Sequence, residues 1–332
     1  MLRGGSAVTG QARGRARANV ALAKYWGKID ERLNLPAVPS VSLTIDALVT
    51  ETEVRLEVGL EVDQVFIDGA LCEGGDARKV QDFLSLLRAR VGSEVHAEVR
   101  STNRFPTASG LASSASGFAA LAAVSARAYG LDLSPEQLSA LARRGSVSAA
   151  RSIFGGFVEL PGGTPGNDSL AARMLHPPSY WDLALVIGLA THQRKAMSSR
   201  DGMHASSASS PLYAGWLGSA PRYAFEVREA LRTRDIERLG RATEASTFAM
   251  HACAWASQPP VRYFRPTTVA LLDRVEALRQ AGIGAWATMD AGPHVKVLCE
   301  GNAVERVSAA LREVPGVLEV LVGRPGAGVE VE

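Results

Sequence analysis

Residues 103–118 read NRFPTASGLASSASGF, and this stretch indicates how the whole chain is organised. A proline at position 106 ends the preceding strand, and a turn of small residues leads directly into a predicted helix. The first amides of a helix lack intrahelical partners, and the helix dipole is positive there. Small side chains let a phosphate approach, so the stretch predicts an anion site to which Ser113 and Ser114 add hydroxyls.

Taken alone, the stretch has a simpler interpretation. A lone glycine–serine turn is more often an ordinary serine-capped helix after a loop. It is not a Walker A loop, because no Gly-Lys-Ser/Thr follows, and it lacks the Gly-x-Gly-x-x-Gly pattern of a dinucleotide site. The remainder of the chain must therefore decide between the two interpretations.

Composition bounds the class of protein. The 332 residues suit one large domain or two of ordinary size, and 46% apolar with 21% charged residues is typical of a soluble globular chain. No run of 18 apolar residues occurs, so no membrane span is predicted. The three cysteines, Cys72, Cys253 and Cys299, show no CxxC spacing. This argues against a disulfide framework or zinc site and favours a reducing, cytoplasmic compartment.

Charge is unevenly distributed along the chain. The net charge is +2, yet residues 1–17 contain four arginines and no acid, so the remainder carries −2. This segment has no apolar stretch of the kind found in secretory signals, and its glycines argue against an amphipathic transit helix. We predict a flexible extension, with attraction to nucleic acid as an alternative.

Local patterns predict an α+β chain. Asp68-Gly69 lies between two short apolar runs and suits a type I′ hairpin, while Ser134-Pro-Glu-Gln137 is a capping box that begins a helix. Residues 161–180 are rich in glycine, proline and serine and predict a loop near a domain boundary. The predicted organisation is a flexible extension at 1–17, an N-terminal domain at 18–178, a C-terminal domain at 179–323 and a loose tail at 324–332.

Three further clusters of polar residues would favour binding of an anion, and a fourth supplies a carboxylate. They are KYWGK at 24–28, GSVSAARS at 145–152, SSR at 198–200 and DAGP at 290–293. Each has a structural alternative: snorkelling lysines, a capped surface helix, a second helix start or a turn aspartate that bonds its own backbone. Taken together, they point to a polyanionic substrate handled beside a nucleotide, with a rigidly held general base.

At this point the chain resembles a known family. The loop is similar to the phosphate loop of the GHMP small-molecule kinases, and the chain from about 19 to about 299 resembles the diphosphomevalonate decarboxylase family of that superfamily. The strings that carry the resemblance are NVALAKYWGK at 19–28, FPTASGLASSA at 105–115, GSVSAARS at 145–152, GGFVE at 155–159, SSRDGM at 198–203 and DAGP at 290–293.

The resemblance implies a two-domain α+β GHMP-kinase fold, with a ribosomal S5 domain 2-like N-terminal domain and a ferredoxin-like C-terminal domain. It implies ATP as co-substrate, Mg²⁺ and mevalonate 5-diphosphate as substrate. Asp290 would orient and deprotonate the 3-hydroxyl, Lys24 would steady the charge, and Arg151 would hold the carboxylate.

The wider site that the resemblance implies falls into two groups. The substrate group comprises Tyr25, Trp26, Gly27, Lys28, Arg78 (or Lys79), Ser146, Val147, Ser148, Ala149, Ala150, Ser199 and Arg200. The ATP group comprises Pro106, Gly110, Leu111, Ala112, Ser113, Ser114 and Ala115, and the hydroxyls of Ser113 and Ser114 would also contact Mg²⁺.

The sequence departs from the family pattern at several positions. Val38-Pro39-Ser40 stands where Asn-Ser-Ser is usual, Val147 and Ala150 replace a glycine and a cysteine, and His294 replaces an asparagine. The catalytic aspartate, lysine and arginine are all present. We therefore expect activity to persist and the substrate pocket to differ in detail, and we take His294 to be a strand-start residue.

The expected reaction is ATP-dependent decarboxylation to isopentenyl diphosphate, by a homodimer with no nucleic-acid or membrane partner. One alternative on the same scaffold is a phosphomevalonate decarboxylase or a mevalonate 3-kinase. Another, of a different class, is a non-catalytic ligand-binding or nucleic-acid-binding protein, which the basic extension would favour.

Overall fold

The computed structural model describes residues 10–105, 111, 113–193 and 196–332. Within them the strands are β1 (Gln11–Ala23), β2 (Lys28–Asp30), β3 (Leu35–Pro36), β4 (Ser40–Glu57), β5 (Gln64–Ile67), β6 (Ala70–Leu71), β7 (His96–Asn103), β8 (Phe157–Leu160), β9 (Arg173–His176), β10 (Leu183–Leu189), β11 (Trp286–Thr288), β12 (Val295–Glu300), β13 (Glu319–Gly323) and β14 (Glu330–Val331). The helices are α1 (Gly74–Val91), α2 (Ser113–Ala128), α3 (Pro135–Gly145), α4 (Ala149–Ser152), α5 (Ser199–Ser209), α6 (Tyr213–Thr233), α7 (Ile236–Trp255), α8 (Pro266–Gln280) and α9 (Val304–Arg312).

The larger sheet is built around the long pair β1 and β4. Its order is β14-β1-β4-β7-β5-β6, and β8 pairs with β4 and with β9. Only β5 and β7 run parallel within this described sheet. Beyond residue 46 buried residues alternate along β4 with residues that are mostly half-buried, so one of its faces meets the core.

Helix α2 lies against this sheet at the centre of its core. Eleven of its 16 residues are buried, most of them alanines, and it packs against β1 and β4. Small side chains allow a close approach of helix and sheet, so α2 is held against the inner strands β1 and β4. Helices α1, α3 and α4 complete this layer.

A second sheet, in the order β11-β12-β10-β13, forms the other half of the structure. Helices α8 and α9 cover one of its faces. Its other face shares a core with β1, β4 and helices α6 and α7, where Leu185 and Ile187 meet Leu22 and Leu43. The two halves are therefore joined by continuous apolar packing, and the active-site elements are fixed relative to each other.

Two predicted flexible segments belong to the larger sheet instead. Residues 11–17 form the first part of β1, and β14 pairs with it at Gly14↔Val331 and Arg15↔Glu330. Ion pairs from Arg13, Arg15 and Arg17 to Glu330 and Glu332 reinforce this pairing. The prediction of a flexible extension was wrong for these residues, and so was that of a loose tail. The basic residues had acidic partners more than 300 positions away.

Predictions that rest on neighbouring residues, the hairpin turn and the capping box, are confirmed. Asp68 and Gly69 have φ of 52° and 83° in the turn between β5 and β6, as a type I′ hairpin requires. Both bonds of the capping box form at the start of α3. The predicted loop at 161–180 is interrupted by β9, which adds to β8. No helix in the described part of the chain is long and apolar enough to cross a membrane.

Candidate active site

A cavity of about 460 Å³ lies where the two halves meet. Strand β1, the starts of α2 and α5, the region around α4 and the turn after β11 all contribute to it. Its lining residues are Asn19, Ala21, Lys24, Tyr25, Trp26, Asp76, Lys79, Ser113, Ser114, Ser146, Ser148, Arg151, Ser198, Ser199, Met203, Met250, Asp290 and Ala291. Residues separated by more than 260 positions thus share one polar pocket.

Asp290 lies in the turn after β11, at the inner end of the cavity. Its Oδ1 is 2.8 Å from Lys24 Nζ and its Oδ2 is 2.9 Å from Lys296 Nζ. Burial would raise the pKa of this carboxyl, but the two ammonium groups outweigh that influence and hold the pKa well below its usual range. Asp290 is therefore ionised at neutral pH.

Lys24 follows the end of β1 and is almost fully buried. Its Nζ also donates to the carbonyl of Ala21 at 2.8 Å, and its backbone N–H donates to Ser246 Oγ on α7 at 2.9 Å. Burial lowers its pKa to about 8, an effect that the nearby Asp290 opposes. Lys24 is thus protonated at neutral pH but loses its proton more readily than an exposed lysine does.

Arg151 points into the cavity from α4. Its Nε donates to Asn19 Oδ1 and Ser42 Oγ at 3.1 and 3.0 Å, and its Nη1 donates to Ser40 Oγ at 2.6 Å. Burial lowers its pKa to about 10, so the guanidinium remains charged. All three partners are neutral, and within the described residues no carboxylate forms an ion pair with it. The arginine is positioned to bind an anionic ligand.

The KYWGK segment connects the two halves beside this site. Tyr25 and Trp26 line the cavity, and the Trp26 carbonyl accepts a 2.8 Å hydrogen bond from Trp216 Nε1 on α6. Gly27 has φ of 101°, and a Cβ there would lie 2.0 Å from Tyr213 Oη, so only glycine fits. Lys28 is not on the cavity lining and forms a 2.7 Å ion pair with Glu31.

The segment 145–152 divides between cavity and core. Ser146 and Ser148 line the cavity and lie 3.1 Å apart through their hydroxyls. Val147, Ala149 and Ala150 are buried in apolar clusters and are absent from the lining. Their side chains are therefore packed in the core, and our prediction that these three positions contact substrate stays a prediction. The departures at Val147 and Ala150 are consequently changes of core packing.

The remaining predicted residues lie at the rim of the cavity or outside it. Ser199 lines the cavity, whereas the exposed Arg200 does not. Burial raises the pKa of Tyr25 to about 12 and lowers that of Lys28; the charge of Arg200 opposes the first shift and adds to the second. Arg78 on α1 is exposed and off the lining. Its alternative, Lys79, lines the cavity and pairs with Asp76 at 2.9 Å.

The predicted ATP loop is described only in part. Ser113 and Ser114 line the cavity at the first turn of α2, while Leu111 and Ala115 are buried in the core. Pro106, Gly110 and Ala112 lie outside the described residues. His294 is buried just before β12, where its Nδ1 accepts a 3.1 Å bond from the Ala190 N–H, as expected for a strand-start residue.

Oxygen donors for Mg²⁺ are available near α2. The hydroxyls of Ser113 and Ser114 and the carboxylate of Asp76 line the same cavity. Among the described residues no group of three His, Cys, Asp or Glu side chains could hold an ion by itself. This donor set suits Mg²⁺, which commonly binds through one or two protein oxygens together with nucleotide phosphates.

Lys296 is the main residue that sequence reasoning missed. It is the one charged side chain in the otherwise apolar run VKVLC at 295–299, and a lysine inside a buried strand is unusual without a partner. That break in the pattern was the available signal. The resemblance pointed to Asp290 and Lys24 but not to the second lysine.

Cations clustered around one carboxylate, facing a helix start with two hydroxyls, define an enzyme that transfers a phosphoryl group to a small anionic substrate. Family models describing a diphosphomevalonate decarboxylase-like N-terminal domain and a mevalonate 5-diphosphate decarboxylase C-terminal domain match residues 16–171 and 185–319. The diphosphomevalonate decarboxylase of Candida albicans is 35% identical over 322 residues, covering 91% of this chain and 88% of that one.

Solved structures of similar proteins support the same family assignment. One, of MDDEF in complex with MVAPP, AMPPCP and magnesium, superposes with a TM-score of 0.92 at 40% identity, covering 98% of this chain and 99% of the other. The mevalonate diphosphate decarboxylase of Enterococcus faecalis gives 0.90 at 39% identity with the same coverage. The chain belongs to the diphosphomevalonate decarboxylase family, which confirms the expected enzyme class and the two-domain α+β GHMP-kinase fold.

Proposed function

We propose that this chain catalyses the ATP-dependent decarboxylation of mevalonate 5-diphosphate to isopentenyl diphosphate, ADP, phosphate and CO₂. The observation that carries the proposal is the carboxylate of Asp290, held by two ammonium groups in a cavity that Arg151 and the start of α2 also line. The site therefore supplies both a proton acceptor and fixed positive charge beside one another.

The first step is phosphorylation of the 3-hydroxyl. Asp290 orients this hydroxyl and accepts its proton as the oxygen attacks the γ-phosphorus of ATP, and the bond to the β-phosphate oxygen breaks. The low pKa of Asp290 makes it a weak base. A weak base is sufficient, because bonding to the nucleophile is little advanced in the loose transition state of phosphoryl transfer and the proton can leave late.

The second step removes phosphate and CO₂. A tertiary hydroxide is a poor leaving group, whereas phosphate leaves with the C3–O electron pair and places positive character on C3. The bond between the carboxylate carbon and C2 then breaks, and its electron pair forms the new double bond. Arg151 fixes the carboxylate so that this bond is held in position, and Lys24 stabilises negative charge near the C3 oxygen.

ATP and Mg²⁺ complete the site. The hydroxyls of Ser113 and Ser114 and the first-turn amides of α2 bind the ATP phosphates, and Lys79 adds a cation from α1. Bound Mg²⁺ neutralises the phosphate charge that develops during transfer. Tyr25, Ser146, Ser148 and the segment 198–200 hold the diphosphate of the substrate.

An assay with mevalonate, its 5-phosphate and its 5-diphosphate, each with ATP, tests the reaction by following ADP and CO₂ separately. We expect both products, in equal amounts, from the diphosphate only. ADP without CO₂ from mevalonate would establish the 3-kinase alternative. Turnover of the monophosphate alone would overturn the diphosphate assignment.

We also propose a cytoplasmic homodimer that binds neither membranes nor nucleic acid. Cys253 and Cys299 are buried free thiols, which suits a reducing compartment. Phe225 on α6 and Phe248 and Trp255 on α7 leave 40–47% of their surface exposed, and we propose these apolar side chains as contacts for a second copy. A monomer mass in light scattering would contradict the dimer.

The absence of nucleic-acid binding rests on a different observation. The arginines of β1 are paired with glutamates of β14, which neutralises the charge that would attract a polyanion. We expect no shift of a DNA or RNA duplex in a gel at 150 mM salt. A retained shift would favour the nucleic-acid-binding alternative.

A further inference from the structure

Lys296 is a buried cation that the proposed chemistry does not yet use. It lies in β12 opposite Thr288 of β11 and Ile187 of β10, in the middle of the smaller sheet. Its side chain is 1% exposed, and its Nζ lies 2.9 Å from Oδ2 of Asp290. Burying an ammonium group is costly unless a partner compensates, so the position calls for an explanation beyond packing.

The two lysines of the cluster differ in one respect. Lys24 lines the cavity and can meet a ligand, whereas Lys296 is absent from the lining and reaches the cavity only through Asp290. Together they engage both carboxylate oxygens, which prevents the carboxylate from rotating. A carboxylate oxygen has two lone pairs, and because Oδ2 is fully buried against Lys296, Oδ1 is the oxygen that keeps one for the substrate hydroxyl.

We propose that Lys296 is a positioning residue for this reaction: it fixes the orientation and the charge of Asp290 from behind, without touching the substrate. The inference rests on the proposed function of Asp290 as proton acceptor. It adds a second requirement, that the acceptor is held ionised by a cation that neither substrate nor product can displace.

The electrostatic surroundings support this assignment. The groups that face the carboxylate are Lys24 from β1, Lys296 from β12, Arg151 from α4 and His251 from α7. Burial lowers the pKa of His251 to about 3, so this imidazole contributes no charge at neutral pH. Besides the effects of burial, Lys296 lowers the pKa of Asp290 and also lowers that of Lys24. The charge of Lys296 thus lowers both the pKa of Asp290 and the pKa of Lys24.

This shared influence gives the inference a distinctive test. Removing the charge of Lys296 should raise the pKa of Asp290 and raise the pKa of Lys24. Because Asp290 titrates far below pH 5, the measurable consequence is that the alkaline limb of the pH–rate profile, set by Lys24, should move to higher pH. A residue that only supports packing would lower the rate without moving this limb.

The experiment compares Lys296→Met, Lys296→Arg and the unmodified enzyme, with kcat and kcat/KM measured from pH 5 to 10 for the diphosphate substrate. We expect kcat of Lys296→Met to fall at least about 10-fold, as befits a general base that is no longer held in orientation, with the alkaline limb shifted to higher pH. Lys296→Arg keeps the charge and should leave the alkaline limb at the position found in the unmodified enzyme. Ionisations of substrate and ATP are common to all variants and cancel in the comparison.

Arg306→Met on α9, an exposed position, is the control for loss of a cation without effect on the site. If Lys296→Met does not fold by circular dichroism, Lys296→Gln takes its place, and its alkaline limb is compared with that of Lys296→Arg. An unmoved alkaline limb in the uncharged variant, at any kcat, would overturn the inference. Near-normal turnover of Asp290→Asn would instead overturn the proposed function, so the two failures are distinguishable.

Discussion

Replacing Asp290 by asparagine should separate nucleotide binding from chemistry. The substitution keeps the shape of the side chain but removes its charge and most of its basicity. Loss of a positioned general base lowers rates by about 10²–10⁴-fold. We expect ADP and CO₂ formation to fall together by that factor, while ATP binding persists, because the first turn of α2 does not contact this residue.

The same substitution has a structural cost that depends on pH. Without the carboxylate, two ammonium groups remain buried beside each other, and removing one member of a buried ion pair costs about 3–5 kcal/mol. Lys24 can relieve part of this cost by losing its proton. Its pKa is already lowered to about 8, and Asp290 is the group that opposes further lowering. In the variant Lys24 should therefore be neutral in the folded state at pH 7.

The sign of the pH dependence follows from proton counting. An unfolded lysine keeps its proton up to pH 10.5, so the unfolded variant binds more protons than the folded variant, and its stability rises with pH. In the unmodified protein the pKa of Lys24 is about 8, so Lys24 is protonated in both states near pH 6 and contributes a slope of the same sign only as the pH approaches 8. The stability gap between the two proteins should therefore narrow from pH 6 to 8, most steeply between pH 6 and 7, by up to about 1.4 kcal/mol per pH unit.

Urea denaturation at pH 6, 7 and 8 measures this gap directly, with the exposed Asp273→Asn on α8 as matched control. The control should show no gap at any pH. A gap for Asp290→Asn that stayed constant or widened with pH would refute the argument that Lys24 releases its proton. Near-normal turnover in that variant would remove Asp290 from the mechanism altogether.

Further predictions concern other parts of the site. Arg151→Gln should lower kcat/KM for the diphosphate substrate by about 10²-fold or more, since it removes charge-assisted bonds to the carboxylate; an unchanged value would exclude that contact, and the exposed Arg241→Gln serves as control. Gly27→Ala should destabilise the fold by at least about 1 kcal/mol in urea denaturation, whereas Gly215→Ala, which meets open space, should not. Removing Mg²⁺ with EDTA should abolish ADP formation and leave the circular dichroism spectrum unchanged; persisting turnover would contradict a metal requirement.

Local signals in the sequence were sufficient for much of the fold. The Asp68-Gly69 turn and the capping box at Ser134 involve neighbours only, so their chemistry could be read from a few residues. The small residues that follow Leu111 likewise predicted the helix α2. The resemblance then supplied what no local pattern contains, namely that Lys24 and Asp290 meet.

What could not be predicted depends on long-range pairing. The arginines of β1 gave no sign that Glu330 and Glu332 would pair with them, and two-residue strands such as β14 carry too little pattern to detect. The inward or outward direction of Val147 and Ala150 depends on the exact path of the chain through α4. A resemblance between short sequence motifs does not distinguish Val147 and Ala150 from Ser146 and Ser148, although of these four residues only the serines line the cavity.

The return of the chain to the larger sheet constrains how the two halves can move. The backbone passes from one half to the other near residues 177–182 and comes back at 324–326, where Gly326 N–H donates to the carbonyl of Thr44 and Arg324 O accepts from Asp46. These two crossings add covalent links to the apolar packing of α6 and α7 against β1 and β4, so they oppose separation and twisting of the halves. A single cut at either crossing would leave the halves tethered by the other. The relative position of the two walls of the cavity is therefore secured twice, by the packed core and by the covalent chain.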